Sequence, residues 1–267
     1  MKTYALLLAS VCVLMASCKK SHTDPVLPPL PTGYLLDKIT DDIGQLTVAY
    51  QYDQSNHLIK MDFYDIRSFN KHTTTTYTYN SAGQADTMKV TPDSFAATGH
   101  RHIYKYNSSG QMIKKFTLYA GETILDDNGY DYSYNALGEV TSCSASGEKY
   151  SDYVYDAAGN VVKENDYVLF SGQKKIITSE FTYDNHPRPS TYLDYLPEDN
   201  TFPIQFVPQR GILAENLSRN NITIDKVNGI TYSYIYNTEG YPASITIAYN
   251  NATVAPYTIH LTYKKAN

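Results

Sequence analysis

Apolar and polar positions alternate over most of this chain, and one short unit punctuates the alternation again and again. The unit is an aromatic, any residue, a tyrosine, then Asn or Asp, and three residues later Gly. Its copies are Tyr50-Gln-Tyr52-Asp53 with Asn56 in the glycine place, Tyr77-Thr-Tyr79-Asn80 with Gly83, and Tyr104-Lys-Tyr106-Asn107 with Gly110. Then come Tyr132-Ser-Tyr134-Asn135 with Gly138, Tyr153-Val-Tyr155-Asp156 with Gly159, Phe181-Thr-Tyr183-Asp184 with Pro187, and Tyr234-Ile-Tyr236-Asn237 with Gly240. Most copies follow one another at about 27 residues, and a fixed period of this size marks a repeat array.

Each part of the unit has a physical role. Tyr-x-Tyr places strong β-formers on one face of a strand. Asn or Asp opens a type I turn by accepting from the backbone N–H two residues on. Gly then takes the left-handed conformation that closes a three-residue hairpin loop. Asn56 is the best substitute for it, whereas Pro187 cannot adopt it, so the sixth turn must differ. Carried outward from the turn, this register sets the second tyrosines against Leu58, Ala85, Met112, Val140, Val161, Pro189 and Pro242. It sets the first aromatics against Lys60, Thr87, Lys114, Ser142, Lys163, Thr191 and Ser244. The tyrosine face is therefore expected to be dry beside the turn and wetter one pair along. Pro189 and Pro242 have no N–H, so no ladder is expected on their outer sides.

Return turns are expected at 91–94, 126–129, 171–172 and 226–229. The fold class is all-β: a large antiparallel up-and-down meander of roughly 12–16 strands, strongly curled or closed into a barrel. The residues between the paired aromatics are Gln51, Thr78, Lys105, Ser133, Val154, Thr182 and Ile235, too polar a face for lipid. The barrel or sheet is accordingly expected to be soluble. The stretch 196–224 breaks the period and reads as a long loop or crossover.

The first residues give an address. Lys2, an apolar run from Ala5 to Met15 and the small residues before Cys18 make a secretory signal too short to span a bilayer. "MASC" resembles a bacterial lipoprotein signal, in which Cys18 becomes the lipidated first residue. The prolines at 25, 28, 29 and 31 favour a stiff, extended tether. The expected organisation is thus a signal peptide at 1–17, a lipidated cysteine and Pro-rich tether at 18–33, and a single β-repeat domain at 34–267. Cys143 is then left without an intramolecular disulfide partner, and the formal charge of −5 carries no basic stripe for nucleic acid.

"YTYNSAGQ" and "YVYDAAGNVVKENDY" resemble the YD/RHS repeats of secreted bacterial shell proteins, whose strands spiral around a hollow. The "DPxG" signature that ends such shells before a toxin is absent, so encapsulation is not implied. The C-terminal "YSYIYNTEGYPASI" is similar to a family of Bacteroidetes lipoproteins described as a domain of unknown function (DUF4595-like) with a porin-like β-fold. That likeness implies a curled or closed sheet and an outer-membrane lipoprotein, its periplasmic or cell-surface side left open. It implies no chemistry.

No catalytic, metal or cofactor constellation is complete. His100 and His102 share a strand face but lack further ligands and read as an exposed strand edge. Asp126 to Gly129 reads as a hairpin turn rather than a calcium loop, and Asp41-Asp42 precedes another turn. The chain is read as a non-enzyme without cofactor, held to the membrane by its lipid. Two roles follow: a binding module for a glycan or other envelope ligand, or a purely structural or assembly lipoprotein. For the first, the candidate ligand residues are the first tyrosines, Tyr77, Tyr104, Tyr132, Tyr153 and Tyr234, because their expected neighbours leave them accessible.

Overall fold

The computed structural model describes residues 33–65, 71–93, 99–119, 129–189, 217–251 and 253–267. The signal, Cys18 and most of the tether therefore lie outside the described residues. The described strands are β1 (Tyr34–Asp41), β2 (Leu46–Tyr52), β3 (Leu58–Asp65), β4 (Lys71–Tyr79), β5 (Ala85–Pro92), β6 (His100–Tyr106), β7 (Met112–Tyr119) and β8 (Gly129–Tyr134). They continue as β9 (Val140–Ala145), β10 (Glu148–Tyr155), β11 (Val161–Phe170), β12 (Gln173–Pro187), β13 (Asn220–Asp225), β14 (Ile230–Tyr236), β15 (Pro242–Tyr249) and β16 (Tyr257–Lys265). Each pairs antiparallel with its neighbours in the chain, and β16 pairs back on β1, closing a barrel. Closure removes both sheet edges, which an open meander of this length would expose.

Up-and-down connection divides the turns between two rims. The Tyr-x-Tyr-Asx turns gather at one, here called the proximal rim. The start of β1, the end of β16, the end of β12 and the start of β13 lie there too. The alternate turns, at Asp41–Gly44, Ser146–Gly147, Ser171–Gly172 and 226–229 among others, form the distal rim. The proximal turns have the expected geometry. At the second, Gly83 N–H donates to Asn80 C=O at 3.0 Å and Asn80 N–H to Gln84 C=O at 2.9 Å. Asn80 Oδ1 accepts from the N–H groups of Ala82 and Gln84, both at 3.0 Å. Gly83 has φ +76° and Asn56 φ +65°, so both stand in the left-handed region. Asp41 opens a distal turn of the same kind, its Oδ1 accepting from Ile43 and Gln45. Turns also stand at 171–172 and 226–229, while 94–98 and 120–128 lie outside the described residues.

The register departs from expectation one step beyond the turn. The second tyrosines pair as expected: Tyr52 with Leu58, Tyr79 with Ala85, Tyr106 with Met112, Tyr134 with Val140, Tyr155 with Val161 and Tyr236 with Pro242. Each return strand then carries one extra residue (Ile59, Asp86, Ile113, Thr141, Val162, Ala243), and the pairing slips. Tyr50 faces Met61, Tyr77 Met88, Tyr104 Lys115, Tyr132 Cys143, Tyr153 Glu164 and Tyr234 Ile245. None of the expected polar partners is met. Such bulges bend a strand and sharpen its twist, which a closing sheet requires.

The sixth unit differs more. β12 runs through Pro187 without turning, Tyr183 pairs with Ile222 instead of Pro189, and Phe181 pairs with Asp225 instead of Thr191. The expected loop 196–224 is also too long at its end, since Asn220–Asp225 is strand β13. Asn160 receives the entry to that strand, its Oδ1 accepting from Arg219 N–H at 3.1 Å and Asn220 N–H at 2.9 Å. Pro242 behaves as expected: it pairs with Tyr236 on one side, while the ladder to β16 starts only at Ser244.

The outward residues Gln51, Thr78, Lys105, Ser133, Val154 and Ile235 are exposed and Thr182 is half-buried, so polar side chains interrupt any apolar band on the outside. Inside, Leu36, Ile39, Val48, Tyr50, Leu58, Tyr77, Met112, Ile245, Ile247 and Ile259 belong to one continuous core.

Candidate functional site

The proximal rim accounts for the second tyrosine of every unit but the seventh, where Tyr236 OH donates to the Asp184 carboxylate instead. Elsewhere the hydroxyl crosses to the preceding hairpin and donates to the carbonyl two residues past that hairpin's glycine position. Tyr79 reaches Leu58 at 2.7 Å, Tyr106 Ala85 at 2.7 Å, Tyr134 Met112 at 2.5 Å, Tyr155 Val140 at 2.9 Å and Tyr183 Val161 at 2.6 Å. Tyr263 closes the series on Pro242 at 2.7 Å, and Tyr52 takes Leu36 at 2.8 Å. These carbonyls lie where the outer ladder has not yet begun, as at Ala85, since β5 pairs with β6 only from Thr87. Tyrosine hydroxyls thus stand in for missing backbone partners around the rim.

The first tyrosines are core. Tyr77, Tyr104, Tyr132 and Tyr153 retain 5%, 2%, 6% and 6% of their surface, and Tyr234 is half-buried with its hydroxyl on Ile222 C=O at 2.6 Å. The accessibility that made them candidate ligand residues is largely absent, because the bulge replaces all six expected polar neighbours, by Met61, Met88, Cys143 and Ile245 in four copies and by buried Lys115 and Glu164 in the other two.

A different group converges inside the barrel towards the distal rim, on β6 to β11. Reading inward positions back along β6 from Tyr106 and Tyr104 gives His102 and His100, whose rings lie 5.1 Å apart. They are half-buried on a strand paired on both sides, not on an exposed edge. His100 also lies 5.8 Å from the Tyr119 ring, and His102 meets Tyr104 edge-on at 6.4 Å. Buried Lys115 stands 5.0 Å from the centre of the half-buried Tyr130 ring, a cation–π contact. Tyr130 in turn meets Tyr150 edge-on at 5.4 Å. Deeper in the wall Ser151 Oγ and Tyr153 OH share a hydrogen bond of 2.6 Å. On β14 to β2 the inward aliphatic residues at the same rim, Ile39, Val48, Ile230, Ile247 and Ile259, are fully buried, and Tyr249 opposite Ile230 is half-buried. Among the described residues, the inward side chains that keep some surface at this end run from Phe63, Thr73 and Val90 on β3 to β5 to a mouth on β6 to β11 lined by His100, His102, Tyr119, Tyr130 and Asp166.

Burial sets the electrostatics at this mouth. Burial, then repulsion from His102 and Lys115, holds His100 below the ordinary imidazole range, so it is neutral at neutral pH. Burial raises Tyr130, and it pushes the Cys143 thiol up to about 12, so that thiol stays protonated and unreactive. Among the described residues no group of His, Cys, Asp or Glu could hold a metal ion. What the wall offers is stacking faces, phenol and imidazole hydrogen bonds, and one ammonium. Sequence reasoning passed over Lys115, Tyr119 and Tyr130. The parity of Tyr104 and Tyr106 would have brought His100 and His102 inside, but the bulge hides the parity of Lys115.

No family model and no curated protein matches this chain. Among solved structures, a porin-like protein from Bacteroides uniformis is similar at 17% identity, covering 90% of this chain and 100% of its own, with a TM-score of 0.49. A porin-like protein from Bacteroides vulgatus shares 13% identity over 86% of this chain and 99% of its own, with a TM-score of 0.38. The TcdB2-TccC3-TEV structure shares 15% identity over 79% of this chain and 11% of its own, with a TM-score of 0.31.

Proposed function

We propose that this chain is a lipid-anchored outer-membrane protein of the DUF4595-like kind, built from degenerate YD/RHS-like units, that binds a glycan or other envelope ligand at the distal mouth. It acts without cofactor and without catalysis. One observation carries the binding reading: aliphatic side chains are buried along β14 to β2, whereas along β6 to β11 half-buried and exposed aromatic and imidazole groups gather around a buried ammonium. Aromatic faces with a few polar groups suit a sugar ring. The lipoprotein reading rests on the signal before Cys18.

The tyrosine hydroxyl series favours a second reading, in which the repeat tyrosines serve the fold alone and the protein is a structural or assembly lipoprotein. Thermal-shift screening against a glycan panel separates the two. A ligand of the mouth raises the Tm of the native chain and loses that effect in Tyr130→Ala and Tyr119→Ala. A panel without a single hit, or hits untouched by both substitutions, replaces binding at the mouth by the structural role.

A further inference from the structure

At the distal rim β11 and β12 outrun their neighbours. β10 last pairs with β11 at Asp166, and β13 pairs with β12 only from Phe181. The pairs Tyr167–Ile176, Val168–Lys175, Leu169–Lys174 and Phe170–Gln173 therefore form a two-stranded arm flanked by no further strand among the described residues. It is held to the barrel on one side, by Tyr167 OH donating to Asp152 at 2.6 Å at its base and by Lys174, opposite Leu169, paired with Glu148. Its large apolar side chains are open nonetheless: Leu169 and Phe170 near the tip are 72% and 60% exposed, and Ile176 at the base is 60% exposed.

The apolar groups are split between the two faces of the arm. Alternation puts Leu169 and Ile176 on one face and Phe170 with Val168 on the other. A protein groove would cover one face, and a strand-adding partner would have to pass Lys174 and Lys175 on the β12 edge, a common guard against such pairing. A medium that surrounds the tip suits this distribution better. Lys175 Nζ stands over the Phe170 ring, 4.5 Å from its centre, a cation–π contact that places a positive charge beside the apolar tip, where an anionic headgroup could meet it. Other turns of the same rim add exposed Ile43, Val227 and Val254, whereas the described proximal turns expose one large apolar residue, Leu137.

We propose that the distal rim docks on a lipid surface, with the β11–β12 arm entering the headgroup zone as a wedge. Four residue pairs give the arm about 10–14 Å of reach, comparable with the roughly 5–10 Å depth of interfacial anchors. Its open backbone edges need water, which keeps it out of the hydrocarbon core. The inference does not depend on the ligand reading, because it rests on the exposed arm beyond Asp166 and the test contains no glycan.

The chain contains no tryptophan, so a single introduced indole reports its own surroundings. The full chain carrying Phe170→Trp, and a second version carrying Leu169→Trp, are reconstituted with vesicles of phosphatidylethanolamine and phosphatidylglycerol. Ile235→Trp, on the exposed barrel wall, is the control. Docking predicts a blue-shifted indole at 170 and 169, quenched by lipids brominated near the headgroup end of the acyl chain and shielded from iodide. The indole at 235 stays open to iodide and insensitive to bromine. The proposal is overturned if 170 and 169 behave like 235 while Tm matches the parent. It is equally overturned if they are shielded from iodide without bromine quenching, which would mean that a second copy or another protein covers the arm.

Discussion

Asn135 donates its side-chain amide to Glu139 at 2.7 Å, and the same two positions are matched in other proximal turns. Asn80 donates to Gln84 at 3.0 Å and Asn107 to Gln111 at 2.9 Å. Where the turn opens with Asp, its partner is a donor instead: His57 beside Asp53 at 3.0 Å, Asn160 beside Asp156 at 3.2 Å. Asn is thus answered by an acceptor and Asp by a donor. At Asp53 and Asp156 burial alone would raise the carboxyl, but hydrogen bonds from His57 and Asn160 and from nearby backbone N–H groups outweigh it and lower both. Asn135→Asp breaks the match by setting a carboxylate against Glu139. The expected cost is about 1–2 kcal/mol at neutral pH, read by denaturant unfolding. Adding Glu139→Gln should recover part of it, since the introduced carboxylate then faces an amide donor instead of a like charge. Equal stability of the single and double variants would deny the pairing rule.

A hairpin of this barrel is a turn, a bulge and a tyrosine that serves the hairpin before it. Tyr106→Phe keeps the ring and removes the hydroxyl that serves Ala85 C=O. About 1 kcal/mol should be lost, and amide exchange should quicken around 83–87 rather than around 106 itself. Exchange that quickens only at 104–108 would show the hydroxyl to be dispensable. The turn was legible because Asn80 and Gly83 each satisfy a local geometric demand that few other residues meet. The bulge was not, because nothing in Asp86 or its counterparts marks one: Ile59, Ile113, Thr141 and Val162 are β-branched residues ordinary in any strand, and the last copy has Ala243. What selects the extra residue is the curvature of the closing sheet, a property of the strands together. The slip of one residue turned buried Tyr77 and Tyr104 into apparent surface residues, and so moved the candidate site from the repeat aromatics to a mouth built by several different strands.

Closure turns a linear array into a ring, and the ring is not uniform. β1 and β16 are joined from Tyr34–Lys265 to Asp41–Ile259 with one irregularity. Around them Ala266 N–H donates to Gly33 C=O at 2.9 Å, and Asn56, the residue in place of glycine, holds Asn267 N–H at 3.0 Å. The place where the repeat fails is weaker. β13 meets β14 through Ile224–Thr231 and Asp225–Ile230, and its ladder to β12 is broken twice between Phe181 and Pro187. In an open solenoid, fraying would start from the terminal repeats, because each repeat leans on its neighbours alone. Here the first and last strands are paired to each other, so opening should begin in the interior of the sequence. Under mild denaturant, amides of Asn220–Asp225 should lose protection at lower concentration than those of β1 and β16, in native-state hydrogen exchange. If Tyr34–Asp41 and Tyr257–Lys265 exchange first, the β1–β16 junction is the weaker one and the broken sixth repeat is repaired by contacts other than its ladder.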